Sequence, residues 1–179
     1  DEAPSVLFVD VMKTIAVADH VFTSFFPRLT IGSVVIHQDY FHHDLPFIKV
    51  IMESLAHRFE YLGECNSSAV FRCIAPVLMS DVLSFADIDD NVAISLHRCA
   101  ERRTRNVYRR MLCRLSRARL LGLQGRRTDA EAELRRLRLR CLILRCFFLF
   151  GCFLLQREGI VFLQNSEPLD QFLQVRIVH

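Results

Sequence analysis

Apolar residues run without interruption through Val6-Leu7-Phe8-Val9 and stop at Asp10. A continuous β-rich run of that length predicts a strand buried on both faces, as in a parallel sheet. From 19 to 29 the spacing becomes helical: Val21, Phe22, Phe25, Phe26 and Leu29 share a face, and Asp19 stands where an N-cap belongs. Gly32-Ser33 interrupts the pattern, and Val34-Val35-Ile36 reads as a second buried strand that ends at Asp39-Tyr40. Asp44, two residues before Pro46, reads as the start of a helix whose buried face is marked by Ile48, Ile51, Met52, Leu55 and Phe59. Glu60–Cys65 and Ala69–Ile74 flank Asn66-Ser67-Ser68, the signature of a β-hairpin.

The predicted order is strand, helix, strand, helix, hairpin. Alternation of this kind implies right-handed crossovers, a parallel sheet and an α/β fold class. Ligands in such sheets sit beyond the carboxyl ends of the strands, which is where Asp10 and Asp39 fall.

Beyond Pro76 the pattern changes. Residues 78–150 contain no proline and read as helix, with breaks near Asp87–Asp90 and at Gly122-Leu123-Gln124-Gly125. The apolar stretch 141–155 is interrupted by Arg145. It is shorter than the roughly 20 residues a membrane-spanning helix needs, so it reads as a buried or interfacial helix and not as a span. The tail from Ile160 to His179 suggests at most a short strand.

Composition sharpens this division. With 51% hydrophobic and 24% charged residues, the 179-residue chain can build a core and does not read as disordered. The formal charge of +3 conceals −8 over residues 1–97 and +11 over residues 98–179. Such a step marks two modules, and the basic one can pack on the acidic one or meet an acidic partner. Fifteen arginines lie between Arg98 and Arg140, but Tyr108 is the only aromatic among them, so base stacking has little support. The plainer reading is a solvated helical surface whose arginine stems cover apolar neighbours. The chain opens at Asp1 with no secretory leader, which suggests a processed or truncated piece and a cytoplasmic setting. Seven cysteines without a CxxC pair then read as reduced thiols and not as a zinc or disulfide framework.

Two segments carry a resemblance to a known family. Leu7-Phe8-Val9-Asp10-Val11-Met12-Lys13 resembles the fourth-strand motif of class I S-adenosylmethionine-dependent methyltransferases. In catechol-type O-methyltransferases that motif is an apolar strand followed by Asp-x-x-Lys. Gly32 to Tyr40 resembles the fifth-strand motif, a glycine turn, an apolar strand, then Asp followed by Asn or Tyr. The helix from Asp44 and the Glu60–Ile74 hairpin fit the closing strands, so the resemblance covers residues 4–75.

The resemblance implies a partial Rossmann-like methyltransferase sheet, two parallel strands plus a C-terminal hairpin, over residues 1–76. An α-helical extension follows over 77–179, in which Arg114–Leu137 resembles one helix-turn-helix of a tetratricopeptide-type repeat; with one copy visible where such arrays need about three, a plain helical hairpin turning at Gly125 is the better description. The implied activity is O-methyl transfer from S-adenosylmethionine to a small-molecule acceptor. Asp10 and Asp39 would then match two carboxylate ligands of Mg²⁺, and Lys13 the general base that takes the proton from the acceptor hydroxyl. All three are candidate catalytic residues.

Tyr40 stands where the metal-dependent group has Asn. The family's first two strands, which carry the glycine-rich cofactor loop and the acidic ribose ligand, lie outside the resemblance. The six glycines form no GxG, so the chain alone is not expected to bind S-adenosylmethionine in the usual way. In the family's sheet the first strand flanks the fourth. The run Val6–Val9 is therefore expected on an exposed edge, open to a protein partner or to self-association together with the helical region.

Two rival readings remain. One is a non-catalytic helical interaction module; the other is a basic binder of nucleic acid or membrane surfaces. His37, His42 and His43 flank Asp39 and are further candidate metal ligands, or simply exposed or structural histidines.

Overall fold

The computed structural model describes residues 4–140. The expected helix at 141–155 and the tail lie outside the described residues. Asp1–Leu139 forms one compact unit, and the change of character at Pro76 is a change from sheet to helix within it.

The fold is mixed α/β. β1 (Val6–Val9) and β2 (Val34–His37) pair in parallel, with Val9 opposite His37. β3 (Phe59–Cys65) and β4 (Ser68–Cys73) form the antiparallel hairpin, and the sheet order is β1-β2-β4-β3. The turn is tighter than the sequence suggested. Cys65 pairs with Ser68 around Asn66-Ser67, and Asn66 takes a positive φ of 50°, which Asn tolerates better than most residues.

Between β1 and β2 lies α1 (Ile15–Ser24), followed by a 3-10 turn over Phe26–Arg28. Its N-cap is Thr14, whose hydroxyl accepts from the Val17 amide at 3.3 Å. The expected cap, Asp19, lies inside the helix. Its carboxylate instead accepts from the Ser84 hydroxyl at 2.6 Å and the Phe85 amide at 3.3 Å, tying a distant 3-10 turn to α1.

α2 (Pro46–Ser54) starts at Pro46 as expected, but Asp44 does not cap it. Phe47 through Glu53 are all buried, because the helix contacts α3 and α4 as well as joining the main core. Phe59, read as the last residue of this helical face, belongs to β3.

Residues 78 to 86, read as helix, instead form 3-10 turns and loop that continue to Asp89. α3 (Asp90–Arg103) is N-capped by Asp89, close to the expected break. A further break at Thr104-Arg105-Asn106 precedes α4 (Val107–Leu123), capped by Asn106. α4 turns at Gly125 (φ 73°) into a fifth helix, α5, running from 127 to 140 among the described residues. The helical hairpin expected around Gly125 is therefore present.

The helices cover one face of the sheet. Val9, Val35, His37, Ala69, Phe71 and Cys73 point into the core, while Val6 and Phe8 are each 57% exposed. Burial of β1 on both faces is thus corrected: among the described residues it is an edge strand with one face open. The local pattern registers apolarity and not which neighbours are present, so it could not separate these cases. No helix among the described residues is long and apolar enough to cross a membrane.

Candidate functional site

Strand geometry assembles the candidate site. Val9, the last residue of β1, is buried, so Asp10 is the first residue free of the sheet. A tight turn, with the Lys13 amide donating to the Val11 carbonyl at 2.8 Å, brings Lys13 back toward it. On the neighbouring strand the Gln38 amide donates to the Val9 carbonyl at 3.0 Å, extending the parallel ladder one step. Asp39 follows with φ 57°, in the left-handed region. That conformation ends the strand sharply, and the His42 amide closes the turn on the Asp39 carbonyl at 2.8 Å.

These features bring Asp10, Lys13 and Asp39 together, 26 residues apart in sequence at most from Lys13. The Lys13 ammonium donates to Asp10 Oδ1 at 3.2 Å and ion-pairs with Asp39 Oδ2. The Lys13 pKa is raised, chiefly by its hydrogen bond to Asp39; partial desolvation opposes this and Asp10 adds to it. The lysine therefore rests as a cation between two carboxylates. Tyr40, next in sequence, is buried in the core against Phe41 and Phe71. Burial holds its phenol well above the usual range.

His37 does not join the carboxylates. Its ring centre lies 6.0, 6.1 and 6.2 Å from those of Phe22, Phe26 and Phe71 in the core, and among the described residues neither ring nitrogen has a hydrogen-bond partner. Desolvation pushes its pKa down to about 3. His42 and His43 stay on the loop, exposed and half-buried respectively.

Sequence reasoning missed a second polar cluster. Lys49 is fully buried in α2 and donates to the His42 carbonyl at 3.1 Å and the Ser116 hydroxyl at 3.3 Å. Its ammonium lies 5.7 Å from the Tyr40 ring centre. His97 Nε2 also contacts the Ser116 hydroxyl, at 3.2 Å. With no carboxylate partner among the described residues, Lys49 has its pKa lowered by burial to about 8. Four residues along α2, buried Glu53 pairs with Arg103 at 3.1 Å, and burial raises its pKa against that pairing. The available signal was a charged residue inside the apolar run Pro46-Phe47-Ile48-Lys49-Val50-Ile51-Met52.

The arginine-rich helices meet acids within the unit. Arg103–Glu53, Arg109–Glu64 and Arg119–Asp44, at 3.1, 3.2 and 3.8 Å, join the basic part to the acidic part. Arg114 and buried Arg117 hold Glu101, and Arg117 also holds Glu133 on α5 at 2.9 Å. A concavity lined by Ile15, Phe85, Ile88, Leu120 and Gln124 contains none of the candidate residues.

Comparison with protein-family models, with curated proteins and with solved structures returned no match to this chain.

Proposed function

We propose that this chain is the acceptor-side half of a methyltransferase-type α/β domain, with Asp10, Lys13 and Asp39 handling the hydroxyl of a small-molecule acceptor. The observation that carries this reading is the meeting of two carboxylates and a lysine beyond the carboxyl ends of adjacent parallel strands, where ligands of such sheets bind. The expected S-adenosylmethionine dependence rests on the motif resemblance alone.

The donor set fits Mg²⁺. Both carboxylates already reach one cation, the Lys13 ammonium, and a hard divalent ion prefers oxygen ligands. Such an ion, held by Asp10 and Asp39, would lower the pKa of an acceptor hydroxyl. The ion would also displace Lys13 from the two anionic contacts that raise its pKa, and its positive charge would push that pKa down, so that the neutral amine could take the hydroxyl proton. The nucleoside cofactor fits less well. The described glycines at 32, 63, 122 and 125 lie in separate turns, a strand and a helix end, and form no glycine-rich loop that could cradle it. The cofactor side would have to come from outside the described residues.

Mn²⁺ titration monitored by water-proton relaxation tests the reading. The unmodified chain should bind the ion, and Asp10→Asn and Asp39→Asn should each weaken binding about tenfold or more. Mn²⁺ binding that ignores both substitutions removes the metal site. Calorimetry with S-adenosylmethionine should give no heat for this chain alone, and tight binding would overturn the division into halves.

A second reading, a non-catalytic interaction module, is favoured by one observation. Among the described residues, β1 has an unpaired edge and an exposed apolar face at Val6 and Phe8. Concentration-dependent self-association abolished by Phe8→Lys, without metal binding, would select it.

A further inference from the structure

The loop between β2 and α2 holds a second group of ligating side chains, separate from the carboxylates around Lys13. One ligating atom each from His42, His43 and Asp44 lies within 4.8 Å of the others. We propose that these three residues form a binding site for a borderline divalent transition ion of the Zn²⁺ type. The inference does not depend on the methyltransferase reading.

Three observations carry it. The first is orientation. Consecutive residues in extended chain point in opposite directions, yet the rings of His42 and His43 stack at 5.0 Å between centres and 13° between planes. The pair therefore presents its imidazoles on one side of the loop. The second is spacing. His43 Nε2 and Asp44 Oδ2 are 3.4 Å apart. Two ligands about 2.0–2.1 Å from a tetrahedral zinc ion stand roughly that far from each other.

The third is support. The His42 backbone is fixed on both sides: its amide donates to the Asp39 carbonyl and its carbonyl accepts from buried Lys49 Nζ. Phe41 and Leu45 anchor the loop in the core. Arg119 Nε, 3.8 Å from Asp44 Oδ1, engages the carboxylate oxygen that does not face His43. A first shell held by groups behind it is what a metal site requires.

Chemistry selects the ion. Two neutral imidazoles and one carboxylate suit Zn²⁺, Ni²⁺ or Co²⁺ and leave coordination positions for water. Mg²⁺ prefers oxygen and should be a poor competitor here. Besides this stacking, the His42 ring makes a long 3.3 Å contact in which the Asp44 amide donates to Nδ1. If His42 coordinates through Nε2, its proton moves to Nδ1 and this contact is lost, so the Asp44 amide resonance should shift on metal binding.

The test uses the full chain with Zn²⁺ in calorimetry and Co²⁺ in absorption spectroscopy. The expected result is saturable binding with one dominant site, visible Co²⁺ bands of a tetrahedral nitrogen–oxygen site, and displacement by Zn²⁺ but not by Mg²⁺. His42→Ala, His43→Ala and Asp44→Ala should each weaken binding about tenfold or more. Asp10→Asn should leave it unchanged, which separates this site from the carboxylates around Lys13. His42 and Asp44 are exposed, so far-ultraviolet circular dichroism should confirm that their variants remain folded. The inference is overturned by Zn²⁺ affinity that is unaltered in the His42 and His43 variants. It is equally overturned by a Co²⁺ spectrum dominated by thiolate charge transfer, which would assign the ion to exposed Cys65 or another thiol.

Discussion

The chain has two lysines, and the fold places them in opposite surroundings. Lys13 sits at the surface between two carboxylates, and its pKa is raised by them. Lys49 is enclosed by α2, α4 and the β2–α2 loop with only neutral oxygens to donate to, and burial lowers its pKa to about 8. The same side chain is thus a fixed cation in one place and an amine near its titration point in the other. The difference is set by desolvation against charge partners. Lys13 contributes charge to a candidate site; Lys49 contributes order, because it fixes the carbonyl of His42 behind the site loop.

The largest expected contrast is in stability. Lys49→Ala should cost about 3 kcal/mol by urea denaturation, since it leaves a cavity beside α4 and unpairs the groups Lys49 satisfies. Lys13→Ala should change stability by less than about 1 kcal/mol, as expected for an exposed, solvent-screened ion pair. Equal effects would mean that Lys49 is not enclosed as described.

His37 extends the comparison to a buried group that, among the described residues, has no hydrogen-bond partner. Its folded-state pKa of about 3 lies below the ordinary 6.5. The unfolded chain therefore binds more protons than the folded one between those values, and stability falls as pH drops through that window. The expected loss is about 3 kcal/mol at pH 4, measured as the change in urea midpoint. His37→Leu should abolish that part of the acid dependence. An unchanged acid profile in the variant would assign the loss to other groups.

With two lysines, ¹³C-methylated protein should give two assignable titrations, identified by Lys13→Arg. Lys49 should titrate near pH 8 and Lys13 above the ordinary 10.5. Because the folded-state pKa of Lys49 lies below its unfolded value, the unfolded chain binds more protons from about 8 to 10.5, and Lys49 makes stability rise across that window. Coincident titrations would erase the distinction. The smallest expected effect is on the open sheet face: Phe8→Thr should change stability by about 0.5 kcal/mol or less while improving solubility.

Much of the sheet was legible because its signals are local. The runs at Val6–Val9 and Val34–Ile36, Pro46 at a helix start, and the polar turn at Asn66-Ser67 each mark an element without reference to distant residues. The approach of Asp10 to Asp39 was legible for the same reason, since parallel neighbours bring their carboxyl ends together; Lys13 entered only through the motif resemblance. Asp19 was misread because its partners, Ser84 and Phe85, are 65 and 66 residues away. The 3-10 stretch after Pro76 was misread as helix because the absence of proline permits a helix without requiring one.

Sequence alone determined the two parallel strands, the helices that follow each, the hairpin, their order and the two strand-end carboxylates, because periodicity and turn chemistry act over a few residues. Tertiary structure decided which faces are covered. It left Val6 and Phe8 open, enclosed Lys49, Glu53 and His97 between helices, stranded His37 among phenylalanines, and turned His42 and His43 the same way. Burial and proton affinity depend on neighbours from every part of the chain, and no local pattern carries that information.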